Sequence, residues 1–233
     1  MEQLFKGKVY EILPTANGII FSYLNRENDD GTAEVSYKMI SFDSRRITDV
    51  AKNVYMISKF GNGYKAMEKL CENYITVKSI ILPGGKVFLL HENGMAQLVD
   101  ADGEPIWTGS LVYRTLIPSD IILFGEGLWC CYPEGNAILK YNLTNIKQEL
   151  RIGGKNSPFD GPCDLFEEDG TLIVCNKNSK KIQSLNVDDY SILEYETFEE
   201  ELLQYVNVNG YRFIVLESGL YVMKKRHKKR GRI

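Results

Sequence analysis

Histidine is scarce in this chain. Only His91 and His227 occur in 233 residues, and a hydrolase of the Ser-His-Asp kind needs an imidazole as its base. His227 lies in a charged tail, which leaves His91 alone for that role. The G-x-S-x-G, H-E-x-x-H, P-loop and G-x-G-x-x-G patterns are all missing. The commoner nucleophilic, zinc-protease and nucleotide-binding routes therefore have no support in the sequence. No C-x-x-C pair is present either, which removes zinc-ribbon and thioredoxin-like sites. The cysteines, Cys71, Cys130, Cys131, Cys163 and Cys175, are odd in number, and Met1–Lys6 lacks the charged-then-apolar design of a secretory leader. Reduced thiols in a cytoplasmic protein are the expectation. No apolar run reaches eighteen residues, so no helix is expected to span a membrane.

What is present is ordinary globular composition, 44% hydrophobic and 25% charged, and an internal repeat. Ser79-Ile80-Ile81-Leu82-Pro83-Gly84 recurs as Asp120-Ile121-Ile122-Leu123-Phe124-Gly125 at an offset of 41. A further offset of 44 carries Pro118-Ser119-Asp120 onto Pro162-Cys163-Asp164, and without a gap it also places Leu128 on Leu172, Cys131 on Cys175 and Ile138 on Ile182. Each unit reads as a short apolar strand, a glycine turn, a second apolar strand, a polar loop, an alternating strand and a final polar strand. Ala101-Asp102-Gly103 makes a hairpin-type turn between the last two strands of one unit. Four short strands per unit with no helices between them predict four-stranded antiparallel sheets set around an axis, a β-propeller.

Weaker copies begin at Val9 and Gln204. Taking Glu11, Ser79, Asp120, Asp164 and Gln204 as equivalent gives offsets of 68, 41, 44 and 40. The first exceeds the others by roughly 26 residues, too few for another four-stranded blade. The prediction is an all-β, five-bladed propeller over residues 1–223 with one insertion between residues 25 and 75, and six blades with one degenerate as the alternative. Within the insertion Met67, Leu70, Cys71 and Tyr74 recur at helical spacing, consistent with core packing of a short helix or an irregular segment. The last blade lacks a fourth strand in its own stretch of chain, and Met1–Lys6 is expected to supply it.

Residues 153–188 resemble one NHL repeat. The run is Gly161-Pro162-Cys163-Asp164, then Asp169-Gly170-Thr171-Leu172-Ile173-Val174-Cys175-Asn176, then Ser179-Lys180-Lys181-Ile182. NHL repeats usually carry Asp where Asn176 stands and Arg where Lys181 stands. The resemblance covers one blade well and the two before it in part. It implies a propeller, and it leaves function open, because NHL-like blades occur in protein-binding scaffolds, RNA-binding modules and lactonase- or lyase-like enzymes.

The equivalent residues Glu11, Ser79, Asp120, Asp164 and Gln204 each introduce a first strand, so a propeller would gather them at the mouth of its channel. Three carboxylates there repel one another unless protonated or joined by a cation. Oxygen ligands of this kind suit calcium or magnesium, as in the SMP-30-like lactonases, whose six-bladed design this chain does not match. The simpler reading is that Pro-x-Asp caps its own turn. The acidic run Asp160, Asp164, Glu167, Glu168 and Asp169 lacks EF-hand spacing and reads as solvated loop charge. No metal ligands or catalytic residues are assigned.

Charge is distributed unevenly. Lys224, Lys225, Arg226, Lys228, Lys229, Arg230 and Arg232 are seven of the 28 basic residues, and the rest of the chain sets 21 against 31 acidic ones. A basic, disordered arm able to contact phosphates without reading sequence is one expectation, and a solubilising tail is the plainer one. No aromatic is interleaved to stack on bases, and no apolar face suits a membrane. Taken together, the expected function is a non-catalytic binding or interaction module whose partner is a protein or small molecule. The alternatives are a metal-dependent hydrolase or lyase at the channel mouth and an RNA- or DNA-binding protein using the tail.

Overall fold

The computed structural model describes residues 1–71 and 74–224. It is a ring of five four-stranded antiparallel sheets. Strand β1 (Glu2–Lys6) comes first in the chain but belongs to the last blade. Blade 1 is β2 (Val9–Pro14), β3 (Gly18–Glu27), β4 (Ala33–Ser41) and β5 (Ile47–Asp49). Helices α1 (Lys52–Phe60) and α2 (Tyr64–Cys71) follow. Blade 2 is β6 (Thr76–Ile81), β7 (Val87–His91), β8 (Met95–Val99) and β9 (Pro105–Ser110). Blade 3 is β10 (Asp120–Phe124), β11 (Gly127–Tyr132), β12 (Ala137–Asn142) and β13 (Gln148–Gly153). Blade 4 is β14 (Pro162–Glu168), β15 (Thr171–Asn176), β16 (Lys181–Leu185) and β17 (Ile192–Thr197). Blade 5 is β18 (Leu202–Val208), β19 (Tyr211–Leu216) and β20 (Gly219–Lys224), completed by β1. Among the described residues, no helix is long and apolar enough to cross a membrane.

The ring closes as the sequence predicts. Strand β1 pairs with β20 through Glu2↔Val222, Gln3↔Tyr221, Phe5↔Leu220 and Lys6↔Gly219. The first strand of the chain thus covers an edge the last one would leave open. Gly219 is required at this seam. It sits at φ +151°, and a Cβ there would lie 2.1 Å from the Phe5 carbonyl oxygen, a contact no other residue can make. Phe5 packs its ring 5.2 Å from Phe21 and 4.8 Å from Tyr23 of blade 1, so β1 ties two blades together.

Side-chain alternation along each strand sends neighbours to opposite faces of a blade, and the hydrophobic core is accordingly divided into one cluster at each inter-blade interface. Cys130 faces blade 2 and Cys131 faces blade 4, as alternation predicts. The repeat holds at this level too. Leu128 and Leu172 each face the preceding blade, while Cys131 and Cys175, like Ile138 and Ile182, face the following one. Trp129 is buried between blades 3 and 4, and Trp107 stacks on Phe88 at 6.0 Å. Both tryptophans serve packing.

The interface between blades 1 and 2 is built differently. Here Ile20 of blade 1 meets Val87, Leu89 and Val99 of blade 2 through Tyr55, Met56, Phe60 and Met67 of the two helices. The insertion is a helical hairpin wedged between two sheets, and the described residues form five blades and no sixth. Its seat is close: Gly103, at φ +85°, lies so near α2 that a Cβ would sit 2.6 Å from the Ala66 Cβ. Met67→Ala is expected to cost about 2–5 kcal/mol by opening a cavity in the wedge. Urea unfolding of the full chain would measure it.

Candidate functional site

The inner strands of the five blades, β2, β6, β10, β14 and β18, line the axis. Each is an edge strand, and its axial N–H groups need acceptors from outside its own sheet. The side chains aligned by the repeat provide them across the blade boundaries. Asp120 Oδ2 accepts from the Leu165 N–H of blade 4 at 2.7 Å. Asp164 Oδ2 accepts from the Tyr205 N–H of blade 5 at 3.0 Å. Gln204 Oε1 accepts from the Ile12 N–H of blade 1 at 2.8 Å, and its amide donates to the Ile12 carbonyl at 3.2 Å. In each case the donor is the residue just after the next equivalent position. The residue before that position adds a second tier of bonds: Ser119 Oγ donates to the Cys163 carbonyl at 3.2 Å and Cys163 Sγ to the Leu203 carbonyl at 3.5 Å. Asp120 and Asp164 therefore fasten blade to blade, and Asp120 also interacts with the backbone of Ile121 beside it.

The pattern changes where the helices enter. Glu11 does not reach blade 2, because α1 packs against both β2 and β6. Its carboxylate instead accepts from the Tyr55 hydroxyl and, at 2.7 Å, from Lys59 Nζ. Ser79 Oγ donates to the Lys59 carbonyl at 2.6 Å. Lys78, next to Ser79, places its ammonium 2.8 Å from Asp120 Oδ1 and 3.5 Å from Asp164 Oδ1. The five aligned residues are thus brought to one hub, and the cations there are Lys78 and Lys59. Neither lysine was singled out in the sequence. Lys78 carried a signal of sorts, since it is the cation beside an aligned position otherwise held by Tyr10, Ser119, Cys163 and Leu203.

The electrostatics follow from burial. The Asp164 carboxyl is pushed up to about 7, by desolvation first and by Asp120 beside it, with Lys78 working the other way. Burial also raises Asp120, against the pull of Lys78. Desolvation opposes the Lys78 charge, but Asp120 and Asp164 outweigh it and hold the ammonium above the ordinary lysine range. Burial raises the Tyr55 hydroxyl, and the Glu11 charge adds to the effect.

Other candidate groups are held by the fold. His91 is fully buried in β7, with Nδ1 3.2 Å from Thr76 Oγ1 and Nε2 3.0 Å from Gln97 Oε1. Burial lowers its pKa, so it is a neutral core residue bridging strands. Cys130, Cys131, Cys163 and Cys175 are free thiols, and burial raises each of them. The acidic run is only partly solvated. Asp164 belongs to the hub, and Glu168 accepts from the Tyr205 hydroxyl at 2.6 Å and the Tyr195 hydroxyl at 3.3 Å. Among the described residues, no group of three or more His, Cys, Asp and Glu side chains is placed to hold a metal ion. Lys224 closes β20, while Lys225, Arg226, Lys228, Lys229, Arg230 and Arg232 lie outside the described residues.

Two outcomes test the hub. Lys78→Met leaves two buried carboxylates without their shared cation and is expected to cost about 3–5 kcal/mol at neutral pH, read by urea unfolding. Asp164 has a folded pKa above its unfolded value, so the stability it contributes is complete below about pH 4 and is lost as pH rises through about 7. Asp164→Asn keeps an acceptor for Tyr205 and removes that loss. The variant should match the parent near pH 4 and exceed it by about 2–4 kcal/mol at pH 8, in paired unfolding curves across that range.

No protein-family model matches the chain, and no curated protein matches it either. Among solved structures it is similar to a protein of unknown function from Bacteroides caccae, with a TM-score of 0.54 and 13% identity over 93% of this chain and 77% of that one. It is also similar to the β-propeller domain of Cps50 (Swd1) from Myceliophteria thermophila, with a TM-score of 0.51 and 13% identity over 94% of this chain and 71% of that domain. At these identities the likeness is one of fold, and the fold is a five-bladed β-propeller.

Proposed function

We propose that the chain is a non-catalytic interaction module whose rigid ring presents its connecting loops to a partner protein. One observation carries this reading. The aligned carboxylates already serve as blade-to-blade acceptors and as counter-ions to Lys78 and Lys59. Asp120 and Asp164 are almost fully buried in those roles, and the hub is cross-linked by the groups an enzyme of the lactonase type would need to free. His91, the one imidazole the sequence offered as a base, is likewise committed to Thr76 and Gln97. The NHL-like run over residues 153–188 is compatible with this proposal but does not select it, since such blades also occur in RNA-binding modules and lactonase-like enzymes. Loops carried on a rigid frame are where such modules place their contacts.

The reading expects a purified partner protein to bind the full chain at submicromolar Kd, with Asp164→Asn changing that Kd by less than about threefold. Calorimetry with the purified pair checks it. Calcium- or magnesium-dependent hydrolysis of a lactone, abolished by Asp120→Asn, would instead establish the enzyme. Salt-sensitive retention of RNA that disappears on deleting residues 225–233 would establish the polyanion-binding protein.

A further inference from the structure

The connections from an outer strand to the next inner strand all leave the ring at one end, because the two strands run in opposite directions in every four-stranded blade. The connection from β9 to β10 is compact. Tyr113 and Leu116 exchange backbone hydrogen bonds at 3.0 and 2.9 Å, leaving Arg114 at the tip with φ +59°. The Tyr113 ring carries two cations. Arg114 lies 5.3 Å from its centroid and Arg151, from β13 of blade 3, lies 5.4 Å from it. The Arg151 guanidinium also rests across Gly154, where an added Cβ would meet Nη2 at 2.5 Å.

Neither arginine has a carboxylate partner among the described residues, and the Arg151 Nε is buried without a hydrogen-bond acceptor. Arg45 and Arg212 are each paired with a glutamate, whereas Arg114 and Arg151 converge on one tyrosine ring. Beside the arginines, Val112 and Ile117 are exposed by 37% and 44%. Both reach over Gly94, with Cγ2 atoms 2.6 and 3.6 Å from a Cβ built there, so they form one apolar spot on the same loop. A guanidinium fork matches a carboxylate, and stacking on a tyrosine pre-sets its direction.

Resting on the interaction-module reading, we propose that this loop of blade 3 docks an acidic, aliphatic peptide segment of a partner protein. Arg114 and Arg151 receive its carboxylates, and Val112 and Ile117 receive its aliphatic side chain. The apolar spot and the net negative charge of the chain favour a short peptide over a nucleic acid, whose long run of phosphates the rest of the molecule would repel.

The test is to pan a library of twelve-residue peptides against the full chain and to measure the selected peptides by fluorescence polarisation. Asp or Glu beside Leu, Ile or Val should be enriched. Arg151→Gln should weaken binding tenfold or more, and Arg114→Gln fivefold or more. Lys180→Gln, in blade 4, should change it less than twofold. Arg151→Lys keeps the charge but loses the fork and should fall between the parent and Arg151→Gln. Arg114 is exposed, so its substitution reads binding even if the Arg151 variants fold poorly. Peptides without acidic enrichment, or with affinities unmoved by both Gln substitutions, would overturn the docking site and leave the module reading standing. Finding no binding peptide and no protein partner would overturn both. Retention of an oligouridylate lost in the same variants would replace the peptide with a nucleic acid and overturn the proposal.

Discussion

Backbone N–H groups on a sheet edge facing a closed axis are the constraint from which this structure follows. An inner strand has no neighbour in its own sheet on the axial side, yet its amides are removed from water. Asp120, Asp164 and Gln204 meet that demand for the blade that follows each of them. Because the acceptor comes from the adjacent blade, satisfying the edge also sets the distance and angle between sheets. Hydrogen bonding to a charged acceptor is the stronger kind, which suits a bond that joins two separately packed cores. The cost is a concentration of buried carboxylates, and Lys78 and Lys59 offset it.

The helical wedge shows how far that scheme tolerates interruption. Between blades 1 and 2 α1 takes over both tasks. Its apolar residues fill the interface, and its Tyr55 and Lys59 answer Glu11 while its backbone accepts from Ser79. Ser79 is too short to reach blade 3, and the neighbouring Lys78 crosses that boundary to Asp120. Blade 2 is thus joined to blade 3 by a cation donating to Asp120, and not by an acceptor for a blade 3 amide as elsewhere in the ring.

A hub cross-linked in this way is stiff, and stiffness at the axis leaves variation to the loops. The connection bearing Tyr113 and Arg114 is small, internally bonded and packed edge-on to buried Tyr132 at 6.4 Å. Its exposed groups are therefore held in place before any partner arrives, which reduces the ordering cost of association. The central residues maintain the frame, and on the proposed reading the peripheral loop is the part that meets a partner.

Periodicity was legible in the chain because strand alternation and glycine turns recur in each blade whatever the blade touches. The blade number, the N-terminal strand that completes blade 5, the helix around Met67 and the five aligned polar positions all follow from local pattern and spacing. What Asp120 and Asp164 bond to was not legible. A polar residue at the start of a strand reads the same whether it caps its own turn or reaches 2.7 Å to the Leu165 amide, 45 residues further on. The partners of Lys78 and Arg151 were hidden for the same reason, since a charge in sequence carries no sign of the carboxylate or tyrosine ring it will face. The amino-acid order determined five sheets and the residues that begin them. Only closure of the ring decided the partners of those residues, because each bond crosses a blade boundary that does not exist until the blades have met.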